Sequence, residues 1–153
     1  MDGLYFEECR VGDSLLTDGR TVTRADVMAF AELTGDENPV HTDADYARQS
    51  VFGEQIAHGM LSLSFGLGLL FRHGGFGSEA RPLRLIAITG MKNVRFLVPV
   101  KIGDALRLNC SIVEKRRLPG RKGTVTMRFR ILNQSDQTAV AGRIAALVEC
   151  RDS

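Results

Sequence analysis

The sequence predicts an α+β domain in which an antiparallel sheet wraps one long buried helix. The stretch from Ile56 to Phe71 is apolar nearly all round, the pattern of a helix buried on every side. Past Leu83 apolar and polar residues alternate, which is the period of half-buried strands. These strands follow one another directly with tight turns between them, and that makes them antiparallel neighbours.

Bulk properties narrow the field. A chain of 153 residues suits one domain, residues 1–153, around one core. Its 44% hydrophobic and 25% charged content is that of an ordinary globular protein. A net charge of +2 gives no electrostatic footprint for nucleic acid. No apolar run reaches the ~20 residues of a membrane span, so no membrane partner is expected. The acidic N-terminus has no basic-then-apolar signal pattern, and a cytoplasmic location follows as the expectation. Cys9, Cys110 and Cys150 have no metal-ligand or disulfide spacing and read as reduced fillers.

Residues 5–22 hold two short apolar pieces divided by Asp18-Gly19, a hairpin or tight-turn signal for an initial ribbon. Thr23, with Asp26 three positions on, starts a helix carrying Val27, Phe30, Ala31 and Thr34 at helical spacing. Gly35 is its stop. Asp43 caps a short polar helix through Arg48, and Gly53 ends an irregular link before the buried helix. His73 to Ser78, rich in glycine, is a loop. Strands are expected at Leu85–Thr89, Val94–Val98, Ala105–Val113, Thr124–Leu132 and Ala139–Val148. Pro119-Gly120 and Asn133 to Asp136 form turns.

One stretch carries chemistry. Asp36 leaves the end of the first helix and His41 follows five positions later, with the helix-stopping pair Asn38-Pro39 between them. A carboxylate and an imidazole on one shaped turn can face the same small volume and hold a water between them. The alternative is a turn carboxylate and a solvated imidazole.

The run Thr34-Gly-Asp-Glu-Asn-Pro-Val-His41, followed by Ile56-Ala-His-Gly-Met60, resembles the signature of the MaoC-like (R)-specific enoyl-CoA hydratases. The likeness extends to Phe96-Leu-Val-Pro-Val100 and its Gly103-Asp104 turn. The resemblance implies a hotdog fold and the reversible hydration of a 2-enoyl-CoA thioester. It also implies a homodimer or higher homo-oligomer, and no metal or cofactor beyond the coenzyme A of the substrate. Asp36 and His41 match the catalytic pair, Asn38 the supporting amide and Gly59 the oxyanion donor. A serine that lines the acyl pocket in some members falls at Leu67, which leaves chain-length preference open.

Asn38 either donates its amide to Asp36 and the water or simply shapes the turn. Gly59 either offers its N–H to an oxyanion or permits close packing. His58 reads as support for the site. Met60, Leu63 and Leu67 are core residues or acyl-tunnel lining. Burial is expected to bring Asp36 and His41 toward neutrality, with their proximity opposing this. The basic run Lys115–Lys122 is a solvated hairpin or a grip on coenzyme A phosphates, with Arg95 and Lys92 as its competitors. Ser62 and Ser64 lack a partner histidine, so covalent catalysis is not expected. The rivals are a thioesterase on the same fold and a non-catalytic acyl-binding subunit.

Overall fold

A computed structural model describes residues 3–73, 75–77 and 80–151. After a short 3-10 turn at Phe6–Glu8 come strands β1 (Ser14–Leu16) and β2 (Arg20–Thr21) and helices α1 (Arg24–Thr34), α2 (Pro39–Thr42) and α3 (Ala44–Gln49). Helix α4 (Gly59–His73) is followed by strands β3 (Leu85–Phe96), β4 (Ala105–Leu118), β5 (Lys122–Leu132) and β6 (Thr138–Glu149). The strands form one antiparallel sheet in the order β1-β4-β5-β6-β3, with β2 also on β4. Helix α4 lies on this sheet, as the sequence predicts. No described helix is long and apolar enough to cross a membrane.

Local chemistry sets the ends of the elements. Thr23 and Asp26 form a reciprocal capping box at the start of α1, and Gly35 closes it in the left-handed region at φ 76°. Asp43 caps α3 through the amides of Asp45 and Tyr46. Pro119-Gly120 turns β4 into β5, with Gly120 at φ 80°. Along β5 the side chains of Val125, Met127, Phe129 and Ile131 are buried, and Arg128 and Arg130 between them are exposed. Where α4 crosses β5, a Cβ built on Gly66 would lie 2.2 Å from Ile131 Cδ1, so the helix backbone rests directly on the sheet.

The structure corrects several expectations. Asp18-Gly19 does not make a hairpin. β1 and β2 both pair with β4, at Asn109–Ser111 and at Ala105–Leu106, and Thr17 bonds Leu108 through both backbone and hydroxyl to bridge the bend. The two strands expected at Leu85–Thr89 and Val94–Val98 are one continuous β3, its register broken by bulges, and Leu97 and Val98 lie beyond it. Bulges and the left-handed Asn93 (φ 53°) interrupt alternation, so one bent strand reads as two. Pro39 does not stop a helix but begins one. A proline at the first helical position gives up an amide that has no partner there anyway, and the Asn38 side chain accepts from Val40 N–H.

Helix α4 starts at Gly59 rather than Ile56 and continues to His73, which the sequence assigned to a loop. Gly74 and Ser78 of that expected loop lie outside the described residues. Nor is α4 buried on every side, since Met60, Ser64, Gly68 and Phe71 are exposed. A sheet on one side and α1 on part of the other do not enclose a helix completely. The basic run sits on the β4–β5 hairpin and is mostly exposed, with three of its cations engaged inside the chain. Lys115 Nζ donates to the Phe6 and Cys9 carbonyls at 2.7 Å, Arg117 pairs with Glu7, and Arg121 donates to the Arg151 carbonyl. These bonds clamp the N-terminal turn to the hairpin and the C-terminal end. Glu7 is held down at about 2 chiefly by the Arg151 backbone amide.

Candidate active site

The candidate pair stands on a turn that the rest of the fold holds firmly. Segment 55–57 runs beside α2 and ties to it three times. Ile56 N–H donates to the Val40 carbonyl, Gln55 Nε2 donates to the His41 carbonyl, and His41 Nδ1 lies 2.8 Å from the Ile56 carbonyl. Ala57 N–H in turn donates to Val100 at 2.7 Å, which anchors the group to the strand end beyond β3. A carbonyl only accepts, so His41 donates from Nδ1, and in the neutral ring the free lone pair is then on Nε2. That is the tautomer a general base needs.

Asp36 is reached from the other side. His58 Nε2 donates to the Asp36 backbone carbonyl at 2.9 Å, and the His58 and His41 rings stack with centroids 4.0 Å apart. Phe30 of α1 closes on His58 at 4.9 Å. One carboxylate oxygen of Asp36 and one nitrogen from each of the two histidines lie within 4.8 Å of one another. Such a separation lets one water bridge Asp36 and His41. A carboxylate with two imidazoles is also a donor set that a divalent metal accepts, and among the described residues these three are the ones so grouped.

His58 is the buried member, at 2% exposure, and its Nδ1 finds no partner. The dyad itself is not buried in the single chain, since Asp36 is exposed and His41 half-buried, contrary to the expected burial. His58 is bonded to the Asp36 backbone and not to its carboxylate. His58→Phe, which keeps the stacking but removes the donor, is expected to lower turnover about tenfold, the worth of one buried hydrogen bond. His58→Gln is expected to restore most of it, as steady-state kinetics will show.

Beside His41 opens an apolar pocket of about 370 Å³, lined by Ile56, Ala57, Gly59, Ser62, Phe96 and Val140 among others. Gly59 heads α4 ahead of its first closed turn, Ser62 N–H to the His58 carbonyl. A Cβ on Gly59 would meet the Phe96 ring at 2.7 Å, so the glycine admits this ring against the helix start. Gly59 thus lines the pocket and packs closely against Phe96. Asn38 uses its side-chain oxygen as the cap of α2, and its backbone N–H reaches Asp36 Oδ1 at 3.4 Å. This is the turn-forming role; no bond from its side-chain amide to Asp36 is present.

Met60 is exposed, Leu63 is buried in the core, Leu67 packs against the core and Arg95 is exposed on β3; none of them lines this pocket. Sequence reasoning missed Phe96, Leu97, Ala139 and Val140 as its walls. The apolar run before Pro99, which breaks strand alternation, was the signal available. Burial pushes the Cys9 thiol up to about 11 and the Cys110 thiol up to about 12, so neither offers a thiolate.

Residues 7–132 match the MaoC like domain. Protein MaoC of Klebsiella aerogenes is 46% identical over 108 residues, covering 69% of this chain and only 30% of that relative's length. An (R)-specific enoyl-CoA hydratase of Rhodospirillum rubrum is 31% identical over 140 residues, covering 89% of this chain and 90% of the relative. Among solved structures, a monoamine oxidase regulatory protein from Archaeoglobus superposes with TM-score 0.87 at 35% identity, over 98% of this chain and 97% of that one. A Mycobacterium tuberculosis protein described as a double hotdog fold superposes with TM-score 0.76 at 19% identity, over 97% of this chain and 44% of that one. That last likeness concerns the fold alone: the sheet and α4 form a hotdog.

Proposed function

This chain belongs to the MaoC-like domain family, and from that premise we propose that it adds water reversibly across the double bond of a 2-enoyl-CoA thioester, giving an (R)-3-hydroxyacyl-CoA. The observation that carries this reading is the oriented dyad. His41 is fixed through Nδ1 with Nε2 open, and an Asp36 oxygen lies within one water's span of the imidazole. The name of the Rhodospirillum relative supports the reaction class.

In the proposed reaction His41 Nε2 takes a proton from the water as its oxygen bonds to Cβ. The imidazolium then returns that proton to Cα while the Asp36 carboxylate holds the water in place, so H and OH of one water add overall. The thioester oxygen gains negative charge in between, and the Gly59 N–H at the head of α4 is the donor for it. The reverse sequence is dehydration, and substrate supply sets the direction. The reaction needs no metal and no redox cofactor.

Loss of the enoyl absorbance of 2-butenoyl-CoA without release of free thiol is the expected result. Thiol release would instead make the protein a thioesterase. The Archaeoglobus structure carries the name of a regulatory protein, and a third reading, a non-catalytic subunit, predicts neither absorbance loss nor thiol release.

We further propose a homodimer through β3. This strand ends the sheet, and Ile86, Ile88, Met91 and Phe96 along it are exposed, an open edge that proteins normally cover. Ile88→Lys is expected to shift sedimentation from dimer to monomer. An unchanged dimer would place the interface elsewhere.

A further inference from the structure

A second apolar cavity lies in line with the pocket beside His41, and one layer of side chains keeps the two apart. The inner face of the sheet is built of rungs that run across β3, β6 and β5. Phe96, Val140 and Ile131 make the first rung, and Phe96 and Val140 line the pocket. Two residues along each strand stand Val94, Gly142 and Phe129. Two further along, Ile144 faces Met127. Both line the second cavity, of about 40 Å³, together with Leu70 and Leu85.

Helix α4 covers the same run. Gly59 and Ser62 line the pocket, and Leu70 lines the second cavity. Ser62 to Leu70 is about 12 Å of helix, and Val140 to Ile144 is roughly 13 Å of strand, so both sides of the seam have the same length.

The middle rung lines neither cavity; it fills the space between them. Phe129 stands directly opposite Gly142 and is 1% exposed. A Cβ on Gly142 would meet Phe129 Cζ at 3.0 Å and Val94 Cγ2 at 3.1 Å, so the ring tip and the valine already occupy the volume over that residue. A glycine inside a strand marks such a close approach. On the β5 side, Gly66 seats the helix on Ile131 and leaves no room for a methyl group. The pocket that opens beside His41 therefore ends against Phe129 and Val94, roughly 7 Å of strand past Val140.

We propose that Phe129, with Val94 beside it, is the residue that limits acyl-chain length. The preferred substrates are then thioesters of about four to six carbons, the length that this depth of strand holds. The assignment rests on the thioester reading above and names the chain length that the sequence leaves open. Shortening either side chain joins the two cavities into one channel under α4.

The test is calorimetric binding of butyryl-CoA and octanoyl-CoA, saturated thioesters that are not hydrated, to the parent, to Phe129→Leu and to Val94→Ala. Thermal unfolding shows which variants are folded. A buried methylene is worth about fourfold in affinity. The parent is expected to bind octanoyl-CoA no more tightly than butyryl-CoA, because the added carbons meet the wall. Each variant is expected to bind octanoyl-CoA at least about tenfold more tightly than butyryl-CoA. The assignment is overturned if the parent itself prefers octanoyl-CoA, if it binds neither thioester, or if the folded variants keep the parent's ratio. The two variants open the wall from different strands, so loss of folding in Phe129→Leu leaves Val94→Ala to decide. Hydration of 2-butenoyl-CoA by the parent is read separately. Its absence beside the expected binding ratios sinks the hydratase reading and leaves the chain-length wall standing.

Discussion

Asp36→Asn and His41→Gln are each expected to lower turnover of a 2-enoyl-CoA by about 10²–10⁴-fold, the usual worth of a positioned acid or base. KM should change far less, because neither group is asked to hold the acyl chain or the carrier. Asparagine keeps the shape of Asp36 and its acceptor for the Asn38 N–H, so the loss reports charge and proton transfer, not a refolded turn. Glutamine at 41 can still donate to the Ile56 carbonyl in place of Nδ1 but cannot accept and release a proton. The two groups share one water, so the double variant should be little worse than the poorer single one. Losses that multiply would mean that they act on separate steps.

The largest stability effect is expected at Gly66. Its Cβ would come within 2.5 Å of Cδ1 and Cγ1 of Ile131, a side chain fully buried under α4. Gly66→Ala therefore overpacks a closed core and should cost about 1–3 kcal/mol, a fall in Tm of roughly 2–12 °C for a chain of this size. Ile131→Val alone should cost about 0.5–1.5 kcal/mol. Combined, it relieves the alanine by removing the Cδ1 carbon nearest to it, so the pair should be more stable than the sum of the singles. Thermal unfolding of the four proteins checks this. A strictly additive pair would show that the helix does not rest on β5 as described.

The chemistry of single positions was the part of the structure most open to reading from sequence. Thr23, Asp26, Gly35 and Asp43 act locally, and their caps stand where the residues place them. The alternation of β5 likewise comes from one strand and its own two faces. What depends on a distant partner did not show. Asp18-Gly19 has the composition of a hairpin turn, yet β4 competes for both flanking pieces and wins, because it offers each of them a ladder. Pro39 is read as a breaker until Asn38 supplies the cap that turns it into a helix start.

The same division holds at the site. Asp36 and His41 were visible as a spaced acid and base. The bond that fixes the His41 tautomer comes from Ile56, fifteen residues on, and no local pattern announces it. His58 was read as support. Its link runs to the Asp36 backbone and not to a side chain, which only the folded turn reveals. The pocket walls come from Phe96–Val100 and from Ala139-Val140, brought together by β3 pairing with β6.

One measurement bears most directly on the dyad as a water-adding site: chiral separation of the product formed from 2-butenoyl-CoA by the parent protein and by Asp36→Asn under identical conditions. The expected result is (R)-3-hydroxybutanoyl-CoA from the parent, no free thiol, and only a trace of product from the variant. An (S) product, thiol release, or equal yields from the two proteins would contradict it.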